Sequence, residues 1–221
     1  HFAIRRQRQM CIRDSYRSPY SYLILPRIIE LKNNYNIEIN FKLVYPLAIR
    51  EPEFFKGKNF LTYFFYKMND MRSVAKKLGM PFFTPKPDPI RQSYITGKIH
   101  SDQPYIYNLC HLGQQAAQEG AGIEMAYALS SLIFGTKGGW NEEKVLEQAC
   151  AKIGLSYNEL KNKAASNESE IIKQIKQNQE DQQKAGHHGV PLMVYKDNVF
   201  FGQDHFDDCK ELLLKDGLTK K

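Results

Sequence analysis

The chain contains few cysteines, and none has the spacing that a redox turn or a zinc site requires. The four among its 221 residues are Cys11, Cys110, Cys150 and Cys209. No two of them form a Cys-x-x-Cys pair, and none stands at zinc spacing from a histidine, so the sequence argues against both kinds of site. The last three lie in helical patterns, which predicts buried free thiols. This usage fits a reducing compartment, and we expect a cytoplasmic protein.

Long apolar runs and aromatic-interleaved basic stripes are also missing. The best candidate for a membrane span, residues 125–134, falls short of the ~18–20 apolar residues required and contains two serines. The net charge of +7 is spread along the chain, and the densest basic segment, residues 5–13, carries no interleaved aromatic side chains. We therefore expect no membrane span and no nucleic-acid partner. The length fits one or two globular domains.

The first fifteen residues show neither strand alternation nor a helical apolar stripe. They also lack an apolar core followed by small residues, so we do not expect a secretory signal. We interpret residues 1–15 as an anomalous segment in which the first strand is missing or altered by an artefact of sequence assembly.

The pattern that follows predicts a helix and then a strand. Residues 18–23 (Ser-Pro-Tyr-Ser-Tyr-Leu) form a proline-containing turn that opens into an apolar helical run. Apolar residues alternate with polar ones between Ile37 and Leu43, as in a strand. If a strand once preceded the turn, this half of the chain is a βαβ unit.

Helical patterns then fill most of residues 60–186, and β patterns return after them. Two short apolar runs, 192–195 and 199–201, flank the turn residues Lys-Asp-Asn and predict a hairpin. A last amphipathic helix follows and ends at Gly217. The order βαβ, helical block, ββα predicts an α/β, thioredoxin-like fold with an inserted all-helical domain, the DsbA-like variant. We assign residues 16–58 and 187–221 to the thioredoxin-like domain and 59–186 to the insert.

Three short motifs, taken together, resemble one family. They are residues 18–21 (Ser-Pro-Tyr-Ser), 189–191 (Gly-Val-Pro) and 201–204 (Phe-Gly-Gln-Asp). In this order around a helical insert, they are similar to those of the kappa-class glutathione transferases and 2-hydroxychromene-2-carboxylate isomerases. The resemblance runs from about residue 16 to 214. It implies that the serine turn replaces the redox Cys-x-x-Cys, that the proline is cis, and that the ligand is glutathione.

Ser18 has two interpretations. A serine before Pro at a helix start is ordinarily an N-cap. The same position is also suited to an anion or a thiolate, because backbone N–H groups and the helix dipole favour negative charge there. The resemblance implies the second role, with Ser18 as the catalytic residue that hydrogen-bonds the glutathione thiolate.

The resemblance also implies a set of glutathione-binding residues. Val190 and Pro191 would hold the cysteinyl part, while Gln203 and Asp204 would take the γ-glutamyl part. Tyr63 stands where the family often has a lysine, which puts contact with the glycyl carboxylate in doubt. Compensation would come from the preceding loop, through Lys56 or Lys58 or through Asn59, which we add to the expected glutathione-binding residues. His187 and His188 flank the proline, and we expect them to be exposed loop residues. Where the family has an acidic residue before the serine turn, this chain has Ser15.

From the resemblance we expect a glutathione-dependent isomerase of the 2-hydroxychromene-2-carboxylate isomerase type. Its glutathione thiolate would add reversibly to an aromatic or unsaturated electrophile. Two alternatives stay open: a kappa-class-like glutathione S-transferase, and a non-catalytic DsbA-like binding protein. The expected partners are glutathione and a small electrophilic substrate, and the family's dimers suggest a homodimer.

Overall fold

The computed structural model describes residues 8–55, 60–93 and 95–221. A four-stranded sheet lies at its centre, in the order β2-β1-β3-β4. The strands are β1 (Arg8–Asp14), β2 (Ile37–Leu43), β3 (Leu192–Tyr195) and β4 (Asn198–Phe201). β1 runs parallel to β2 and antiparallel to β3, and β3 forms the predicted hairpin with β4. The thioredoxin-like fold class is confirmed.

The expectation of a missing first strand is wrong for residues 8–14, because Arg8–Asp14 form β1. This strand is central, and its last residues are buried on both faces: Ile12 and Asp14 on one face, Arg13 on the other. A strand covered on both sides does not alternate between apolar and polar residues. Two polar residues, Arg13 and Asp14, therefore end a core strand, so alternation of apolar and polar residues could not identify it.

The helix α1 (Pro19–Asn34) connects β1 to β2, and α9 (Phe206–Lys215) closes the chain after β4. Between β2 and β3, the described residues form a short helix α2 (Leu47–Arg50), a 3-10 turn Pro52–Phe55 and six longer helices. These are α3 (Phe60–Lys77), α4 (Ile106–Gln118), α5 (Gly122–Gly135), α6 (Glu143–Lys152), α7 (Tyr157–Ser166) and α8 (Glu168–Lys184). Within the described residues, none of the helices is both long and apolar enough to cross a bilayer.

The helical block packs directly on the thioredoxin-like part. α5 lies against α1, while α4 and α8 contact β2. Tyr16, almost fully buried, fills the space beside Gly113 of α4, where a Cβ atom would overlap the tyrosine ring. One hydrophobic core therefore runs from the sheet into the helices. The division at residues 59–186 stays a prediction.

Candidate active site

Ser18 lies at the point where β1 ends and α1 begins. Its backbone is extended (φ −101°, ψ 109°), and its Oγ accepts a hydrogen bond from the Ser21 amide at 3.3 Å, so it is the N-cap of α1. The Ser18 amide donates to the Ser15 carbonyl at 2.9 Å, which fixes the turn. The serine hydroxyl is therefore held at the positive end of a sixteen-residue helix.

The Val190–Pro191 peptide bond is cis, and this segment lies against the serine turn. Ser18 Oγ donates to the Val190 carbonyl oxygen at 3.3 Å, which joins two predicted site residues 172 positions apart. Within the described parts of the chain, the Val190 amide has no hydrogen-bond acceptor. A half-buried strand end with a free N–H and a lightly bonded carbonyl can pair with an extended peptide.

Gln203 and Asp204 lie beside the same proline. The Gly202 amide donates to the Pro191 carbonyl at 2.9 Å, and the 3-10 turn Gln203–His205 follows directly. Gln203 is buried and donates through Nε2 to the Asp204 carboxylate, whereas Asp204 is exposed. Asp204 does not cap α9, and its exposed carboxylate can contact a ligand while Oδ1 accepts from Gln203. Asn59, which the sequence analysis assigned to glutathione binding, lies outside the described residues, as do Lys56 and Lys58.

Arg27 of α1 fastens this turn to the first half of the fold. Its Nη1 donates to the Gln203 carbonyl at 3.3 Å, and its Nη2 pairs with Asp207 Oδ1. The guanidinium carbon also lies 4.2 Å from the ring centre of Phe206. α1 therefore supports both sides of the candidate site, the serine cap and the turn before α9.

His187 and His188, which the sequence predicted to be exposed loop residues, each make specific contacts. The His187 ring stacks on Phe201 with centroids 3.9 Å apart, and its Nδ1 accepts from the Gly189 amide at 2.9 Å. His188 is exposed, with Nδ1 2.8 Å from Glu51 Oε1, and its carbonyl accepts from Arg50 Nη2. Both histidines therefore help to hold the segment that leads to Val190.

A buried carboxylic acid, Asp14, lies beneath the serine turn. Its side chain accepts a hydrogen bond from the Ser15 amide, and its residue is 2% exposed. Burial raises its pKa to about 7, against smaller opposing effects from Ser21 and Ser15. The resemblance predicts an acidic residue at position 15, which is a serine, whereas the acid of this chain lies one position earlier, at Asp14. An acid at the C-terminal end of a strand that precedes a helix is the signal that could have found it.

Arg17, next to Ser18, forms a bidentate ion pair that the sequence patterns did not predict. Its Nε and Nη2 each lie 2.9 Å from a carboxylate oxygen of Asp88. Asp88 Oδ1 also accepts from the Ile90 amide, and the carbonyl of neighbouring Pro87 accepts from Trp140 Nε1 at 2.7 Å. The connection between α3 and α4 is thereby attached to the serine turn.

Tyr20, the third residue of the turn, reaches α3. Its hydroxyl is hydrogen-bonded to Asp70 Oδ2, and Lys67 Nζ lies 5.6 Å from its ring centre. Asp70 belongs to the helix that the resemblance covers. The turn is therefore braced from both sides, by Arg17–Asp88 and by Tyr20–Asp70.

The sequence profile of the DsbA-like thioredoxin domain matches residues 14–214. The chain belongs to this family. Among curated proteins, no sequence match was found. Since the profile spans nearly the entire chain, the DsbA-like fold applies to both the thioredoxin-like and the helical parts.

Solved structures of the same fold include several enzymes. A 2-hydroxychromene-2-carboxylate isomerase is 15% identical with a TM-score of 0.70, over 94% of this chain and 95% of that chain. The cytosolic disulfide reductase DsbM from Pseudomonas aeruginosa is 14% identical with a TM-score of 0.60, over 94% and 98%. A structure of DsbM with GSH is 13% identical with a TM-score of 0.59, over 94% and 98%. At these identities, the similarity establishes the fold.

The raised pKa of Asp14 predicts that the stability of the protein depends on pH. Its native pKa of about 7 lies above the ordinary value of 3.8, so the native state holds the proton more tightly than the unfolded state. The carboxyl therefore costs stability progressively as pH rises from about 4 to about 7, and the cost persists above that. We expect Asp14→Asn to be more stable than the parent at about pH 8, by up to about 4 kcal/mol at 1.36 kcal/mol per pKa unit.

Urea unfolding at about pH 5 and about pH 8 measures this difference. Asp197→Asn, in the exposed β3–β4 turn, is the matched control and should show little change between the two pH values. A gain for Asp14→Asn that is equal at both pH values would contradict the assignment.

Proposed function

We propose that this protein is a glutathione-dependent isomerase of the 2-hydroxychromene-2-carboxylate isomerase type. The observation that carries the proposal is the 3.3 Å contact between Ser18 Oγ and the carbonyl of Val190, whose amide is free in the described structure. A thiol peptide paired with Val190 would bring its sulfur to a hydroxyl rather than to a second sulfur. The similarity to an isomerase and to a protein solved with GSH supports the same ligand.

The residues of the site fit glutathione. The free amide and the carbonyl of Val190 suit the cysteinyl main chain, in the manner of an added strand. The exposed Asp204 carboxylate suits the γ-glutamyl ammonium group, and the N–H groups of the turn at Gln203 suit its carboxylate. Bound glutathione supplies a thiolate that adds reversibly to an aromatic or unsaturated electrophile.

Ser18 and the start of α1 would keep that sulfur ionised. The Ser18 hydroxyl is already poised as a donor, because it donates to Val190 and can turn to a nearby thiolate. The N–H groups of the helix start add positive potential, which lowers the pKa of a thiol from its ordinary ~8.5. Asp14 beneath the turn is mainly protonated at pH values below its pKa of about 7, so its charge opposes the thiolate less there than that of an ordinary aspartate would.

A disulfide oxidoreductase is disfavoured, although DsbM shares the fold. The turn offers Ser18 and Ser21, which cannot form a disulfide. Elsewhere, burial raises the pKa of Cys150 to about 11 and of Cys209 to about 12, and raises that of Cys110 further. Thiols that stay protonated at neutral pH are poor nucleophiles. Unpaired cysteines also support a reducing, cytoplasmic location as part of this proposal.

Ser18→Ala separates the catalytic role of Ser18 from its capping role. We expect glutathione affinity to be retained, while the pKa of the bound thiol rises and turnover of 2-hydroxychromene-2-carboxylate falls about tenfold to a hundredfold. The reason is that a hydrogen bond to a charged group contributes about 1.5–3 kcal/mol. Thiolate absorbance against pH measures the first effect, and steady-state kinetics the second.

Ser156→Ala is the matched control, because Ser156 caps α7 with the same 3.3 Å contact to an amide. Both substitutions should cost about 1 kcal/mol of stability. Only the substitution at Ser18 should alter the pKa of the bound glutathione thiol. An unchanged thiol pKa and unchanged turnover in Ser18→Ala would remove Ser18 from the proposed role.

The fate of glutathione distinguishes the isomerase from the kappa-class-like transferase. For the isomerase, we expect one added equivalent of glutathione to support many turnovers, with free thiol recovered in full at the end. Thiol titration and mass spectrometry of the products measure this. A stable conjugate that accumulates with each turnover would establish the transferase instead.

Calorimetric titration with reduced glutathione tests the third possibility, the non-catalytic DsbA-like binder. Binding without turnover of any electrophile would favour that binder. No binding at millimolar concentration would reject glutathione altogether. Sedimentation of the same sample tests the homodimer that the family resemblance implies.

The glycyl end of glutathione should contribute little. Tyr63 replaces the cation that the resembling family often carries there, and a single exposed ion pair contributes only about 0–1 kcal/mol. We expect γ-glutamylcysteine, which lacks the glycine, to bind within about fivefold of glutathione. Competitive calorimetry measures the ratio. A loss of about a hundredfold or more would show that another residue holds the glycyl carboxylate.

A further inference from the structure

A separate cavity of about 450 Å³ lies among α4, α6, α7 and α8. Ser18, Val190, Pro191, Gln203 and Asp204 are all absent from its lining. Cavities of ~300–1,000 Å³ with an apolar lining and a few polar groups are typical of small-molecule sites. The glutathione proposal does not use this one.

Three aromatic side chains and a set of leucines line the cavity. Tyr105 and Trp140 meet edge to face, with ring centroids 5.6 Å apart and planes at 74°. The only polar atom of the indole, Nε1, already donates to Pro87, so Trp140 presents only apolar surface to an occupant. Further apolar lining comes from Leu109, Leu112 and Leu146. Such a lining favours a planar aromatic ring.

Among the polar and charged residues of the lining, which are Asn108, His111, Asn141, Lys161 and Glu168, His111 is the buried one, and one of its ring nitrogens lacks a close partner. The His111 residue is only 9% exposed, and its Nε2 pairs with the Tyr45 hydroxyl at 3.1 Å. Its Nδ1 is 3.5 Å from Glu168 Oε1, at the limit of a hydrogen bond. Burial lowers the pKa of His111, against a smaller opposing effect from Glu168, so the ring is neutral at pH 7. Nδ1 is then a donor or an acceptor according to the tautomer, and a hydroxyl group can satisfy either.

The charges of the lining do not select an ion. The lining contains one charge of each sign, Lys161 and Glu168. Lys161 Nζ already lies 2.7 Å from Glu143 Oε1 and 5.5 Å from the ring centre of Tyr157. An anion would be repelled by Glu168, and a cation would be repelled by Lys161. A neutral ligand would be repelled by neither.

We propose that this cavity binds a neutral planar aromatic molecule with one ring hydroxyl, a phenol, whose hydroxyl group pairs with His111 Nδ1. The ring would lie among Tyr105, Trp140 and the leucines. This site is independent of glutathione, and its occupant differs from the electrophile proposed for the serine site.

The only tryptophan of the chain, Trp140, lies in this lining and reports on binding through its fluorescence. The probe is 4-cyanophenol at about pH 6.5, below the range in which it ionises. The comparison ligands are 4-methylbenzonitrile, which lacks the hydroxyl, and 4-cyanobenzoate, which carries a charge. We expect saturable quenching by the phenol, about fivefold or more weaker binding of the other two, and no competition by glutathione.

Two variants locate the binding. Ala165→Phe introduces a large side chain at an exposed lining position of α7 and should abolish quenching, whereas Ala151→Phe, at an exposed position of α6 outside the lining, should not. His111→Leu should weaken the phenol to the level of 4-methylbenzonitrile and leave the latter unchanged. No quenching by the phenol, tighter binding of the benzoate, or quenching that survives Ala165→Phe would each overturn the proposal. If His111→Leu fails to fold, the comparison of Ala165→Phe with Ala151→Phe still tests the proposal.

Discussion

The fold depends on the position of β1 between β2 and β3. This pairing brings the end of β1, at residue 14, to the end of β2 and to the start of β3. The turn that follows β1 and the cis-proline segment that precedes β3 must then meet, although 172 residues separate Ser18 from Val190. The candidate site is a direct result of strand order. Substitutions in the candidate site need not disturb the sheet. A shift of β1, in contrast, would separate the serine turn from the cis-proline segment.

The site itself is assembled from main-chain groups more than from side chains. A helix start, a free amide and a carbonyl do most of the proposed binding, and only Ser18 and Asp204 contribute reactive or charged side-chain atoms. The backbone that forms the site makes hydrogen bonds to side chains from other parts of the fold. Arg27 holds the turn before α9, Arg50 holds the His188 carbonyl, and Gln182 donates to the Gly189 carbonyl at 2.7 Å.

Patterns of residue type revealed the parts of the fold with a strong local signature. The alternation from Ile37 to Leu43 and the cap at Ser156 correspond to β2 and α7. β1 was not predicted because Arg13 and Asp14 are polar residues that become buried in the folded protein, a tertiary effect that no local sequence window contains. The Arg17–Asp88 pair and the Gln203–Arg27 contact were missed for the same reason. The motifs located Ser18, Val190 and Gln203, but their spacing in three dimensions required the sheet.

The ion pair between Arg17 and Asp88, beside the serine turn, affects how the protein can be divided. Arg17 is fixed by Asp88, and the segment around Asp88 is fixed in turn by Trp140, through Pro87, and by the Gly139 amide, which donates to the Lys86 carbonyl at 3.1 Å. The helical block is therefore part of the scaffold of the turn. A miniature protein made by joining β2 directly to β3 would retain every strand and the serine, yet it would leave Arg17 without its carboxylate and Tyr16 without the cover of α4. Excision of the thioredoxin-like half would therefore remove contacts that hold the serine turn.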